Sequence, residues 1–397
     1  MQRLIGLLFF PLTALWALDV SMLTPEKQAV LAQKAAAIEA GERRLKYDWV
    51  GEVSLSASAT ESKGAGSNES TLSQQAGASF AQDLFRSGGI TASIRYADEW
   101  ARAERLALEQ TTNGYLQELA LARLGYEQDR IRLEQNDRRL ENSEIALFLK
   151  RRQYEAGEAD ITQLNDALRE RNTLQKARVE LQAALRNRRL ELGRLTPLEP
   201  EAIALPVYAP LTQETFTDRH LASRLAQAQS RMAKTQQAIS AAGYLPALSA
   251  TASVDYRQSE GLSADGESYS AGLRLSMPLS LTATAAVQEK KAEALRTRSL
   301  AQDAKLAAAA LYDQTAATIA ALEEGRALLG KNIALYDELI AVTDRAVRSG
   351  ERSRYDLQTL QNTRAIDNDE IRLSDLAIRI EQAKLHYALT WTKASHE

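Results

Sequence analysis

The chain has 397 residues, 49 of them basic and 52 acidic, for a net charge of −3. With charge so balanced and spread along the chain, no basic stripe is offered to a phosphate backbone, which argues against nucleic acid as a partner. Cysteine is absent, excluding disulfides, thiolate metal sites, cysteine nucleophiles and lipidation of an N-terminal cysteine.

The chain opens on MQRLIGLLFFPLTALWALDV, with Arg3 ahead of an apolar run from Leu4 and small residues at Ala14 and Ala17. This reads as a secretory signal over residues 1–17, cut near Ala17; the plainer alternative is a short apolar helix, which Phe9, Phe10 and Pro11 fit less well. No later stretch holds 18 or more apolar residues, so a membrane-entering form would have to be a barrel.

Prolines at 11, 25, 197, 200, 206, 210, 246 and 278 leave two long proline-free tracts. A short helix is expected over Pro25–Lys46, then strands at about 50–60 and 73–85. From about Gly89 to Tyr154, apolar residues at helical spacing among strong helix formers predict one helix. At roughly 1.5 Å per residue it would reach about 100 Å. It ends near Gly157 and is followed by a returning helix over Ile161–Leu195, closing a hairpin at 89–195. The run Thr196–Pro210 cannot be helical throughout, which makes 197–210 a proline-rich linker. After it come a helix over Thr217–Ala242, strands at about 246–257 and 268–280, and a second hairpin at 284–393 that turns near Gly350.

The second half thus repeats the first. WVGEVSLSAS at Trp49–Ser58 matches YLPALSATAS at Tyr244–Ser253, and AGASFAQDLF at Ala76–Phe85 matches AGLRLSMPLS at Ala271–Ser280, both 195 residues on. YEAGEADITQL at Tyr154–Leu164 matches VRSGERSRYDL at Val347–Leu357, now 193 on. Three blocks in one order at near-constant distance indicate duplication, with repeats at 18–196 and 211–397.

The strands alternate sharply. Val53, Leu55, Ala57 and Ala59 interleave with Ser54, Ser56 and Ser58, while Leu273, Leu275 and Met277 interleave with Gly272, Arg274 and Ser276. About ten residues suffice for a tilted strand to cross a bilayer, and ESKGAGSNES and RQSEGLSADGES suit external loops. From alternation alone, two amphipathic hairpins on a soluble core would be the plainer reading. The secretory signal and the repetition favour a barrel. Four strands cannot close one, so it must be shared: two chains supply eight strands, three supply twelve, and only twelve leave a useful lumen. A cyclic trimer follows. The expected fold class is an α+β membrane protein, with two repeats of two strands and long helices in a trimeric twelve-stranded β-barrel continued by an α-helical periplasmic barrel.

AAGYLPALSATASVDY from Ala241, YSAGLRLSMPLS from Tyr269 and RSGERSRYDLQTL from Arg348, with QDLFRSGG from Gln82 and QYEAGEADITQLNDA from Gln153, resemble the outer-membrane efflux protein (TolC-like) family. The matches span nearly the whole mature chain in order. The resemblance implies a passive homotrimeric exit duct in outer-membrane lipid, docked through a periplasmic adaptor onto an inner-membrane pump and exporting drugs, metals or proteins. It further implies that Gly157 and Gly350 mark adaptor-docking hairpin tips. Arg352 and Asp356 match an arginine and the first of two inward carboxylates at the periplasmic gate. Thr359 stands where the second carboxylate would be, and Gln163 replaces an aspartate that ties the tip shut, a role open to Asp160 or Asp166. Three Asp356 copies would favour cations. A solvated i,i+4 pair explains Arg352 and Asp356 equally well. Arg274 would face the barrel lumen or the solvent at its rim.

No enzyme site emerges. His220, His386 and His396 are scattered, lack metal-ligand spacing and read as surface residues. Neither G-x-S-x-G nor a phosphate-binding glycine loop is present, so no cofactor or metal is expected. Trp49 suits an interfacial aromatic girdle or plain core packing. The rival to a duct is a periplasmic long-helix scaffold without a pore.

Overall fold

The computed structural model describes residues 18–63, 70–259 and 266–391. The signal at 1–17, the centres of both strand loops, His396 and the expected helix end at Lys393 lie outside them. Among the described residues seven α-helices and four strands follow in order: α1 Pro25–Tyr47, β1 Val53–Lys63, β2 Ser70–Phe85, α2 Gly89–Glu155, α3 Ile161–Leu195, α4 Gln213–Arg219, α5 Leu221–Ala242, β3 Ala247–Ser259, β4 Gly266–Ser276, α6 Ala283–Arg348 and α7 Arg354–Tyr387. The strands run further into the polar loops than alternation suggests, reaching Lys63 and Ser259. β4 stops at Ser276, short of Pro278, whose ring nitrogen has no hydrogen for a ladder bond.

The chain divides into two compact units, and neither is one repeat. One comprises Ala32–Glu109 and Leu221–Leu306; the other holds residues up to Leu31, Gln110–His220 and those from Ala307 onward. Each draws on both halves of the sequence, the first through β2 beside β3 and the second through α2 beside α7.

The first unit carries the sheet, antiparallel throughout in the order β1-β2-β3-β4. The central β2–β3 pairing joins the two halves of the sequence. Ahead of the sheet, Gln82 holds the chain entering β1: its Oε1 accepts from the Gly51 amide at 2.8 Å and its Nε2 donates to the Trp49 carbonyl at 3.2 Å. Ion pairs tie helix to helix, Lys46 to Asp98 between α1 and α2 at 3.5 Å and Arg231 to Glu99 between α5 and α2 at 3.0 Å.

In the second unit α2 and α7 share a core of Leu124, Ile131 and Leu376, covered by Leu205 of the linker with Leu373 and Ile380. The linker lies against these helices: Arg123 donates to the Ile203 carbonyl at 3.0 Å, and the Tyr126 hydroxyl to Glu201 at 2.7 Å. A polar seam extends the packing. Asp369, almost fully buried, takes Arg138 from α2 and Arg372 from its own helix, the latter at 3.0 Å. The continuous helix expected over Thr217–Ala242 is broken. His220 turns extended (φ −63, ψ 117) and bridges Leu389 in an antiparallel pair, while the Thr390 amide donates to the Arg219 carbonyl at 2.9 Å. A tertiary strand pairing overrides helix propensity there.

Candidate functional site

The pairing register sorts the sheet's side chains. Val53, Leu55 and Ala57 stand opposite Phe80, Ala78 and Ala76. These in turn stand opposite Ala252, Val254 and Tyr256, which face Ala271, Tyr269 and Glu267. Side chains alternate along a strand and paired residues share a side, so these residues form one face with Leu248, Ala250, Leu273 and Leu275. Its charged groups among the described residues, Glu61, Lys63 and Glu267, are confined to the loop end. The opposite face carries Ser54, Ser56, Ser58, Ser79, Ser253 and Ser270.

The apolar face is bare in the single chain: Leu55 is 81% exposed, Leu273 70% and Leu275 73%. β1 and β4 each pair on one side only among the described residues, leaving two free edges. Arg274 lies on the hydroxyl-bearing face opposite Ser249, which stands opposite Asp83.

The two hairpin tips share one backbone design. Gly157 (φ +75) and Gly350 (φ +82) take the left-handed conformation. Around the first, the Glu158 amide bonds the Gln153 carbonyl at 2.8 Å and the Gly157 amide the Tyr154 carbonyl at 3.0 Å. Around the second, Glu351 bonds Ala346 at 2.9 Å and Gly350 bonds Val347 at 3.1 Å. Both are Schellman caps, in which glycine relieves the Cβ clash and the last carbonyls find donors. Asp160 and Ser353 then cap the returning helices in extended backbone.

The side chains differ between the tips. Asp356 completes a capping box, accepting from the Ser353 amide at 3.4 Å while Ser353 Oγ accepts from Tyr355 at 3.1 Å. Arg352 precedes α7 and forms no ion pair with Asp356 among the described residues, which removes the solvated i,i+4 helix pair. Thr359 donates to the Tyr355 carbonyl of its own helix at 2.9 Å. Gln163 accepts from Lys150 at 3.0 Å, tying α3 to α2, whereas Asp160 accepts from Thr162 at 3.1 Å and Asp166 is exposed. Phe148 packs on Tyr355 at 5.5 Å between centroids, and Glu141 accepts from Gln358 and, at 2.9 Å, from Asn362. These contacts join the end of α2 to the start of α7, a pairing with no signal in sequence spacing.

No protein-family model matches the chain, and no curated relative does. Among solved structures, the outer membrane protein VceC of Vibrio cholerae shares 14% identity over 93% of this chain and 94% of its own, with a TM-score of 0.73. The CmeC outer membrane channel of Campylobacter jejuni shares 11% over 94% and 85%, TM-score 0.72. The open MtrE outer membrane channel of Neisseria gonorrhoeae shares 13% over 93% and 86%, TM-score 0.64. The chain has the fold of these outer-membrane channels. No described helix is long and apolar enough to cross a membrane.

Within the channel fold, the histidines correct a sequence expectation: two of the three are not surface groups. His220 is 9% exposed, its ring 5.3 Å from Phe216. His386 stacks 4.1 Å from Trp391 and 4.7 Å from Tyr208, and Arg219 lies over Trp391 at 5.7 Å. Burial, helped by Arg219, holds the His386 imidazole down to about 4. Burial also lowers His220 and raises Tyr208 and Tyr387. The buried Asn113 amide donates to the carbonyls of Tyr387 at 3.0 Å and Leu389 at 2.8 Å, clasping the chain end to α2. The described residues hold no cluster of His, Asp and Glu able to bind a metal.

Proposed function

We propose that three copies of this chain form an outer-membrane exit duct of a tripartite efflux or type I secretion system, conducting solutes passively across the periplasm and outer membrane. One observation carries the reading: a four-stranded sheet with one face apolar except toward its loop end and two edges unpaired among the described residues. In water that face costs stability, roughly 25 cal/mol for each Å² left exposed, and in lipid the open edges leave backbone groups without partners. Closing β1 of one protomer on β4 of the next solves both problems, with apolar side chains against lipid and hydroxyls toward a lumen. Twelve strands from three chains give the required opening. A long-helix scaffold without a pore has no use for the bare apolar face.

In this reading the helices continue the duct through the periplasm. The tips at Gly157 and Gly350 receive a periplasmic adaptor, which links the duct to an inner-membrane pump supplying the energy. Arg352, Asp356, Thr359, Gln163, Asp160 and Asp166 form the periplasmic gate, Asp356 contributing through its capping box and Gln163 through Lys150. No step requires catalysis or a cofactor.

The test is to extract the mature protein in detergent, measure the mass of the assembly and record conductance in a planar bilayer. A trimer with stable unitary conductance is expected. A monomer that opens no pore would sink the proposal.

A further inference from the structure

The hydroxyl-bearing face of the sheet holds four charged side chains among the described residues: Asp83, Asp255, Arg257 and Arg274. Three are engaged locally. Asp83 pairs with Arg86 at 3.4 Å, Asp255 accepts from Ser253 Oγ at 3.3 Å, and Arg257 donates to Gln75 at 3.5 Å. Arg274 has no hydrogen bond or ion pair among the described residues, and it is exposed. Its neighbours in sequence, Leu273 and Leu275, take the apolar face, so alternation sends Arg274 to the other side. Its neighbour across the strand is Ser249, and one strand further stands Asp83, whose charge Arg86 already matches. This row of the sheet therefore has one unmatched positive charge.

We propose that Arg274 sets the charge preference of the barrel, making it favour anionic or acid-bearing solutes; the inference rests on the reading of the sheet as one third of a shared barrel. Threefold symmetry places three Arg274 guanidinium groups at one level of the lumen. The rest of that face carries mostly serine and threonine hydroxyls, and the opposite charges of Asp255 and Arg257, two residues apart on one side of β3, offset each other. The low dielectric of the surrounding wall focuses the field of such a ring into the aqueous path. Arginine stays charged at any working pH and pairs two-pronged with carboxylates and phosphates, so the preference extends from chloride to solutes bearing those groups.

The test measures reversal potentials of the detergent-purified, full-length mature protein in planar bilayers under a potassium chloride gradient, at low salt where screening is weak. The wild type should admit chloride relative to potassium more readily than variants that remove the Arg274 charge. Arg274→Glu should lower the chloride-to-potassium permeability ratio at least about threefold, the effect of one unit charge roughly 6 Å from an ion in water. Arg274→Gln should fall between the two, and Arg274→Lys should keep the wild-type ratio. Pores whose ratio is the same in wild type and Arg274→Glu would overturn the inference while leaving the duct standing. Wild-type protein without pores would overturn both.

Discussion

Gln163 and Asp356 occupy the third helical position after the caps of two equivalent hairpin turns, 193 residues apart, and their side chains face different partners. Asp356 turns back to the Ser353 amide at 3.4 Å, whereas Gln163 accepts from Lys150 of the preceding helix at 3.0 Å. The two tips share a backbone, with its glycine and cap, and differ in their side chains. The first tip is tied across its hairpin; the second is tied within its own helix start.

Asp356→Ala removes the carboxylate half of a capping box, so the second tip should loosen. A loss of about 0.5–1 kcal/mol is expected for such a cap. Faster proteolysis around Gly350, relative to wild type, measures it. A variant as resistant as wild type would mean that the capping box contributes nothing to the tip.

Gly157→Ala and Gly350→Ala force a Cβ into the left-handed region. Open space surrounds both glycines, so the cost is backbone strain alone, about 1–2 kcal/mol at each site. Thermal unfolding in detergent should show both variants melting below wild type, and an unchanged midpoint would contradict the assigned conformation.

Asn113→Ala strips two carbonyls, of Tyr387 and Leu389, of their buried donor. Each buried group left unpaired costs about 1–3 kcal/mol. Hydrogen exchange should rise first over the end of α7 and the Leu389–Trp391 segment, and protection equal to wild type there would argue against the clasp.

The His386 imidazole is held near 4, against an ordinary value of 6.5. A base whose folded value is depressed stabilises the fold in its neutral form. That contribution is full above pH 6.5 and is lost as pH falls toward 4, because the unfolded chain then binds the proton more readily. The difference amounts to roughly 3 kcal/mol. Melting temperatures followed from pH 7 to pH 4.5 should fall, and His386→Phe should flatten the fall. Parallel curves for the two proteins would remove His386 as the cause.

Leu273→Lys and Ser270→Lys place the same charge on opposite faces of β4. A lysine on a lipid-facing position costs about 2–4 kcal/mol at the bilayer midplane, and much less toward a lumen. Leu273→Lys should reduce the amount of trimer recovered from membranes far more than Ser270→Lys. Equal recovery would contradict the assignment of faces.

Much of this was legible in the sequence. Period-two alternation in Val53–Ala59 and Leu248–Tyr256 announced a two-faced sheet, because a strand has only two sides. Proline-free tracts and the glycines at 157 and 350 announced two long hairpins, because local rules decide where a helix runs and how it ends. The resemblance to the TolC-like family pointed to the fold that the solved outer-membrane channels display.

Long-range relations lay beyond that reading. Nothing near His386 in sequence marks it as half-buried, since Tyr208 and Arg219 reach it only once the chain has folded. Arg352 and Asp356 are four apart, as a helical pair would be, but the helix begins between them and separates their roles. The break at His220 follows from a strand pairing with Leu389, which lies 169 residues away. By itself the sequence determined most of the elements, the two glycine turns and the two characters of the sheet, all governed by contacts within a few residues. The tertiary structure alone decided the long-range relations, such as Arg138 of α2 reaching the buried Asp369 of α7, because those depend on which distant segments meet.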